Sequence, residues 1–525
     1  MKIRHLKSKG FLSVLIVSLV FVTGCKKEFF EKKLYGIQDQ VATIKDEASA
    51  LAMVNGCYAL IDGTDWYTSR FPKLMLESSS DNGWGGNDYQ DRPSEIGTLA
   101  FTNALNPDNG FVKSLFDELY QGVRNCNNTI AVIPSAPISD ALKKRAVAEA
   151  KFLRAYYYFE LAKTFGDCTL YTNLPNSGEL IPRSPVKDVY AQIVKDLKEA
   201  SNDLPETGAY SASEKGRATK GAALGLLAKA YLFMEDYPNA EITAQTVIQS
   251  NKYTLLPNYG DLFKTSNPWS QESLFEIGYF PDTKFSTGVR STTIHWATND
   301  GGWGWFALTS DLENAFISEG DDVRRKNTIL KAGEPVEGEN RIYPADEGKS
   351  TSGRYSRKLY VPLAERGGLY GNQPLNKIII RFAEILLIHA EAAAFNGKTA
   401  EALVSLNKVR QRVNLAPKMG LAGDALKMAI YNERRLELAG EGTYRWDDIR
   451  RIKIGGKKLI SLLMGPNGTF VKYNTTVNVD PIEKKPHREN INKGIEFKEG
   501  KNELWPIPRT VIQASNGVFT QNNGY

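Results

Sequence analysis

The sequence predicts a mainly α protein: a scaffold of helical hairpins that carries long irregular ligand-binding loops and little β-structure. Three observations carry that expectation. Apolar residues recur at helical spacing through both halves of the chain. Two helical stretches break and resume in the same way at a fixed offset, the mark of a repeated hairpin. Between the helical blocks lie long polar stretches rich in Gly, Asn, Asp, Trp and Tyr, of a length that is usually functional inside a compact protein. The composition agrees, because 525 residues with 42% hydrophobic, 24% charged and 10% aromatic side chains exclude disordered and collagen-like chains.

The first element is an export signal. Lys2, Arg4, Lys7 and Lys9 precede a largely apolar run, Phe11–Val22, which is too short to span a bilayer. The stretch Val22-Thr23-Gly24-Cys25 resembles a bacterial lipobox, so Cys25 is expected to be acylated as the first residue of the mature chain. Residues 1–24 then form a signal peptide, 25–45 a lipidated tether and 46–525 a single folded domain. A lipid at Cys25 would hold the body on a membrane without a transmembrane helix. The signal carries four of the excess positive charges, so the net charge of +6 falls to 6 − 4 = +2 on the rest. Basic residues there are interspersed with acids, which excludes a nucleic-acid footprint. Cys57, Cys126 and Cys168 are an odd set with no zinc spacing, and the four His residues are scattered at 5, 295, 389 and 487. Buried inert thiols, no metal and no cofactor are expected.

The helices follow in order. Residues 112–133, Ala146–Phe165 and Val186–Leu204 read as helices of two pairs. From Arg217 a hairpin places Ala223, Leu227, Ala230 and Met234 on one face, breaks at Asp236-Tyr237-Pro238 and resumes with Ala240, Ala244 and Val247. A second hairpin, FAEILLIHAEAAAFNGKTAEALVSLNKVRQRV, breaks at Asn396-Gly397. It aligns with the first at an offset of 387 − 227 = 160, with Ala230 on Ala390 and Ala240 on Ala400. The small residues permit close helix packing, and the design resembles tetratricopeptide hairpins. Irregular stretches occupy Ile61–Asn109, Tyr253–Trp305, Gly333–Asn376 and the tail after Asn467, which is expected to pack back on the helices.

Taken together the motifs resemble the SusD/RagB family of Bacteroidota outer-membrane lipoproteins. The resemblance rests on Asn55-Gly56-Cys57-Tyr58, LYQGVRNCNNTI at 119–130, AEAKFLRAYYYFELAKTFGD at 148–167 and GRATKGAALGLLAKAYLF at 216–233. The C-terminal half adds RFAEILLIHAEAAA at 381–394, LNKVRQR at 406–412, NERRLELAGEG at 432–442, RWDDIRR at 445–451 and ELWPIP at 503–508. It implies a tetratricopeptide-like fold and a loop-rich glycan site. It also implies docking on a SusC-like TonB-dependent transporter at the cell surface. Most of these motifs are structural. Leu153, Tyr156, Tyr157 and Leu161 follow helical spacing and read as core, and Arg434, Arg435, Arg450 and Arg451 beside Glu437, Asp447 and Asp448 read as solvated or structural ion-pair networks.

Sugar rings present flat C–H faces and hydroxyl edges, so a glycan site needs aromatic plates flanked by amides, carboxylates or guanidiniums. Trp446 and Trp505 lie in structural motifs and Trp269 precedes a strand-like segment, which leaves Trp66, Trp84, Trp296, Trp303 and Trp305. Around Trp84, Gly83, Gly85 and Gly86 give the backbone room while Asn82, Asn87, Asp88 and Tyr89 supply polar edges. HWATNDGGWGWF repeats the recipe with His295, Asn299 and Asp300. Two Trp-Gly segments of like chemistry predict one composite site, and each plate contributes about 1.5 kcal/mol at ~25 cal/mol per Å² over roughly 60 Å² of sugar.

Enzymatic readings are weaker. A glycoside hydrolase would need a carboxylate pair, which Asp81, Asp88, Asp91, Asp300 and Asp311 offer only by number. There is no G-x-S-x-G, H-E-x-x-H or Walker A run, and Gly302-Trp303-Gly304 imitates a dinucleotide fingerprint without a preceding strand. The expectation is therefore non-catalytic capture of oligosaccharide or polysaccharide at the outer membrane and delivery to the transporter. The alternatives are a lipoprotein hydrolase and a binder of another nutrient such as peptide.

Overall fold

The computed structural model describes residues 44–61, 79–86, 105–175, 178–279, 295–344, 352–366, 373–442, 444–465, 468–469 and 497–525. The N-terminal helices are α1 (Glu47–Tyr58), α2 (Gly110–Val132), α3 (Asp140–Phe165), α4 (Val186–Asp203), α5 (Lys220–Phe233) and α6 (Tyr237–Gln249). Four of the six start at a side-chain cap. Asp46 and Ser49 form a reciprocal capping box on α1, and Asn109, Thr219 and Asp236 accept backbone N–H groups at the starts of α2, α5 and α6. Successive helices α2 to α6 pack side by side.

The helix α3 lies at the centre of this array and is buried on nearly every side. Tyr156, Tyr157 and Tyr158 are core residues as expected: Tyr157 donates to the Cys57 carbonyl at 2.5 Å and Tyr158 to the Tyr171 carbonyl at 2.8 Å. Gly122 lets α2 approach, since a Cβ there would lie 2.6 Å from the Tyr157 ring. A buried fork from Arg154 to Asp196 at 2.8 and 2.7 Å ties α3 to α4.

The second hairpin, α9 (Phe382–Phe395) and α10 (Thr399–Arg412), stacks directly on the first. Tyr237 and Phe395 lie face to face with centroids 4.0 Å apart, and Lys229 of α5 pairs with Glu384 of α9 at 2.8 Å. The true offset is 382 − 220 = 162, not 160. Ala240, Ala244 and Val247 thus correspond to Ala402, Leu406 and Val409, all buried, whereas Ala400 is exposed. Met234 caps α5 and is 38% exposed, so it leaves the apolar face assigned to it. The array continues through α11 (Gly423–Leu438) and α12 (Tyr444–Arg451) and ends with α13 (Leu459–Met464) and α14 (Arg509–Ala514). The tail packs back through Trp505, which is fully buried and donates its backbone N–H to Thr164. One apolar core runs from Cys57 to Ile507.

Between α6 and α9 the chain makes its long excursion, which leaves and returns through an antiparallel neck. That neck pairs β2 (Ser273–Ile277) with β6 (Lys377–Arg381), and β6 runs straight into α9. The excursion holds α7 (Ser310–Glu319), α8 (Asp322–Thr328), β3 (Trp305–Leu308), and the pair β4 (Ile329–Lys331) with β5 (Arg354–Ser356). It has a small core of its own, formed by Trp296, Leu330, Val336, Tyr343, Tyr355 and Tyr360 with their neighbours. A buried charge cluster fastens it to the helices. Arg381 reaches Glu272 at 3.0 Å and Glu437 at 2.5 Å, while Arg324 reaches Glu433 at 2.7 Å. Burial alone would raise the Glu437 carboxyl, but Arg412, Arg381 and Arg324 outweigh it and hold it well below the usual carboxylate range. Arg434, Arg445, Asp447, Asp448 and Arg450 of α11 and α12 are buried as well: Arg434 pairs with Asp448 at 2.8 Å, and the partly buried Arg451 pairs with Glu391 at 2.5 Å, so this network is internal rather than solvated. Cys57, Cys126 and Cys168 are buried and free. Among the described residues no helix is long and apolar enough to cross a membrane.

Candidate functional site

The two Trp-Gly segments meet. β1 (Gly83–Gly86) pairs antiparallel with β3, with Gly83 opposite Leu308, Trp84 opposite Ala307 and Gly86 opposite Trp305. Segments more than 200 positions apart thus form one ribbon, in which the Trp84 and Trp305 backbones sit on diagonal rungs.

The ribbon is held from behind by the scaffold. Thr309 donates its N–H to the Asn82 carbonyl at 2.9 Å and its hydroxyl to the Asp81 carbonyl at 2.6 Å. Arg445 of α12 forks onto Asp81 with both contacts at 2.7 Å. Arg435 of α11 donates to the Asn82 side-chain oxygen at 2.7 Å and to Asp311 at 2.5 Å. Burial alone would raise the Asp81 carboxyl; Arg435 and Arg445 outweigh it and hold it well below its ordinary value. Asn82 is therefore a fully buried anchor, not a polar edge offered to ligand.

The second segment divides between core and surface. Trp296 is 1% exposed, with its indole N–H on the Leu359 carbonyl at 2.9 Å and the Arg366 guanidinium 3.8 Å from the ring centroid. An indole enclosed this way with its one donor satisfied is a peg of the excursion's core, which corrects its assignment as a plate. Asp300 is also buried, ion-paired with Arg341 and Arg366 at 2.8 Å each, and so is His295, next to Trp296 in sequence. The chain then doubles back over Trp296. Gly304 donates to the Trp296 carbonyl at 2.7 Å, and a Cβ on Gly302 would lie 2.3 Å from that same oxygen, so the turn requires glycine. The turn leaves Asn299 exposed and delivers Trp303, half-buried against the main core, to the base of the ribbon. Trp66, Asn87, Asp88, Tyr89 and the lipidation residue Cys25 lie outside the described residues, and Trp84 and Trp305 enter through backbone register only.

The residues that position the ribbon, Arg435 and Arg445, were not singled out for this role in the sequence. The only sequence signal was the Arg/Asp-rich run around 434–451. The carboxylates considered for hydrolysis are engaged: Asp81, Asp300 and Asp311 each carry an arginine, while Asp88 and Asp91 lie outside the described residues. No group of three or more potential metal-ligating side chains occurs among the described residues.

Comparison with known proteins places this architecture. A family model described as the SusD family matches residues 271–525, and a second, described as "Starch-binding associating with outer membrane", matches residues 28–232. The chain belongs to the SusD family. Among its relatives, a SusD-like protein of Formosa agariphila is 27% identical over 98% of this chain and 100% of its own. Among solved structures, a SusD-like protein of Bacteroides fragilis superposes with a TM-score of 0.75 at 25% identity, covering 92% of this chain and 98% of that one. A laminarin-binding SusD-like protein superposes with a TM-score of 0.72 at 26% identity, covering 92% and 100%. Members of the SusD family are carbohydrate-binding proteins rather than enzymes, and the family is associated with the outer membrane.

Proposed function

We propose that this SusD-family chain is a non-catalytic glycan-binding lipoprotein of the outer membrane, anchored through Cys25 after removal of residues 1–24, whose body (46–525) binds oligosaccharide and passes it to a SusC-like TonB-dependent transporter. The observation that carries the reading is the ribbon. Two Gly-flanked Trp segments, distant in sequence, share one backbone ladder that Arg445, buried, and Arg435, partly buried, fix to the helical scaffold. Trp84, Trp305 and Trp303 are the plates of this reading, with Asn299 an exposed polar neighbour. Asn87, Asp88, Tyr89 and Trp66 remain proposed contributors from the loops beyond it. A hydrolase is less well supported, because a general acid needs a carboxyl raised toward neutrality and Asp81 is shifted the other way. Two or three plates with several wet hydrogen bonds, offset by the cost of association, correspond to affinities of order micromolar to millimolar. Such binding retains ligand near the transporter yet lets it leave.

The test is affinity electrophoresis of residues 26–525 in gels containing laminarin, starch or other polysaccharides. A Trp84→Ala/Trp303→Ala/Trp305→Ala variant runs alongside. Retardation by one polysaccharide, lost in the variant at unchanged helical content, supports capture at the ribbon. Release of reducing sugar by the purified protein would overturn the non-catalytic reading. Co-purification of the transporter from membranes, abolished by Cys25→Ala, tests the delivery step.

A further inference from the structure

Trp303 sits on a turn whose own residues do little to stiffen it. Its neighbours Gly301, Gly302 and Gly304 carry no side chains, and Gly301 and Gly304 have φ of +77° and +67°. Glycine has the most backbone freedom to lose, so such a segment needs contacts from outside to keep one conformation. The bonds within it close the turn: Asp300 and Gly302 both donate to the Ala297 carbonyl at 2.9 Å. They shape the turn without fastening it to the rest of the molecule.

Arg366 fastens it. Its Nη2 donates to the Asp300 carboxylate and its Nη1 to the Asp300 carbonyl, both at 2.8 Å, while Nε donates to the Val361 carbonyl at 2.8 Å. The guanidinium also lies 3.8 Å from the centroid of the Trp296 ring. One side chain thus holds the turn at its start, residue 296, and at its middle, residue 300, and ties both to the segment 361–366. With all three nitrogens engaged, it serves as a strut rather than as a contact for ligand. Arg341 shares the Asp300 carboxylate at 2.8 Å, but its other partners, Glu339 and Tyr360, lie outside the turn.

We infer that Arg366 is a positioning residue for glycan binding, which acts through Trp303 by holding the turn 296–304, in the free protein, in the conformation that presents that ring. The inference rests on the reading of Trp303 as a plate. A ligand that needs a formed turn binds with an apparent Kd inversely proportional to the fraction of molecules in which the turn is formed, so loss of the strut raises the Kd. The rise is bounded. A strut that works through one ring cannot contribute more than the ring itself, about tenfold in Kd. Asp300 keeps Arg341 when Arg366 is replaced, so no buried carboxylate is left uncompensated and the variant should fold.

The experiment is a double-mutant cycle on the full chain, purified in detergent and run through gels of graded laminarin, starch or further polysaccharide content to give a Kd. Arg366→Ala is expected to raise the Kd by about threefold to tenfold in the wild-type background, and by less than about twofold in the Trp303→Ala background. Arg366→Lys keeps a charge for Asp300 but cannot bridge its carboxylate, its carbonyl and Val361 at once. It should behave as Arg366→Ala does, and it carries the cycle if Arg366→Ala does not fold. An Arg366 variant that binds as wild type overturns the inference and leaves the ribbon reading intact. So does one that weakens binding equally in both backgrounds, because a merely structural arginine acts whether or not the ring is present. Trp303→Ala retarded like wild type, or wild type retarded by no polysaccharide, overturns the reading of the plate and this inference with it.

Discussion

Replacing Trp296 with Ala separates a peg from a plate. The indole is 1% exposed, so the substitution removes nearly all of its buried surface. A Trp buries ~150–250 Å², which at ~25 cal/mol per Å² amounts to about 4–6 kcal/mol. The measured cost of Trp-to-Ala core changes, about 3–5 kcal/mol, agrees. The change also leaves the Leu359 carbonyl without its donor and the Arg366 guanidinium without its ring. The loss falls on the excursion's small core rather than on the main helical core, so it should appear as local opening. About 4 kcal/mol is close to a thousandfold in the opening equilibrium. Hydrogen exchange read by mass spectrometry should therefore accelerate roughly a thousandfold in the strands at 329–331 and 354–356, with the helices at 140–165 and 220–233 unchanged. Trp303→Ala, at a half-buried position, should leave exchange in those strands within tenfold of wild type while weakening glycan retardation. The reasoning fails if Trp296→Ala keeps full protection in the excursion and loses only binding, for the ring would then be a plate.

The remaining expectations concern the scaffold. Asp81→Asn should cost about 3–5 kcal/mol, because it leaves Arg445 a buried charge without its carboxylate and takes from Arg435 one of its two; a urea midpoint close to wild type would contradict this. Gly122→Ala drives a Cβ to 2.6 Å from the fully buried Tyr157 ring and should destabilise by about 1–3 kcal/mol, read by thermal melting. Asp81, Glu437 and Asp448 all have lowered native pKa values. Their contribution to stability is therefore complete above the unfolded carboxylate range of about 4 and is lost as pH falls below it. Unfolding monitored by circular dichroism should steepen between about pH 4 and pH 2, and a flat profile there would refute the assignment.

The hairpins were legible because their causes are local. The apolar period, the caps at Thr219 and Asp236 and the break at Asn396-Gly397 lie within the segments they shape. Alignment by alanines erred by two residues, since small residues are so frequent in both hairpins that matches occur in more than one register; the helix starts fix the offset. The division of the Trp residues was not legible. Trp296 and Trp303 are seven residues apart in one Gly-rich segment, and what separates them is Arg366, Tyr360 and the Leu359 carbonyl, some 60 positions downstream. Asn82 was misread in the same way. Its neighbours suggest an exposed turn, while Arg435, 353 residues later, takes its side chain into the interior. The Arg/Asp run at 434–451 announced ion pairs, but only the packing of α11 and α12 shows that they lie inside and that two of the arginines reach the ribbon.

That reach bears on affinity. Each aromatic plate contributes about 1.5 kcal/mol, and fixing one flexible residue costs about 1–2 kcal/mol. A segment as rich in glycine as Gly83-Trp84-Gly85-Gly86 would lose the gain from its ring if it became ordered only when sugar arrived. The ladder to β3 and the clamp through Asp81 place that ordering in the free protein, where folding rather than binding meets it. A side chain with no exposed surface is then a determinant of glycan affinity. Asp81→Asn should weaken retardation at least as much as the loss of a single plate, although Asp81 touches no ligand.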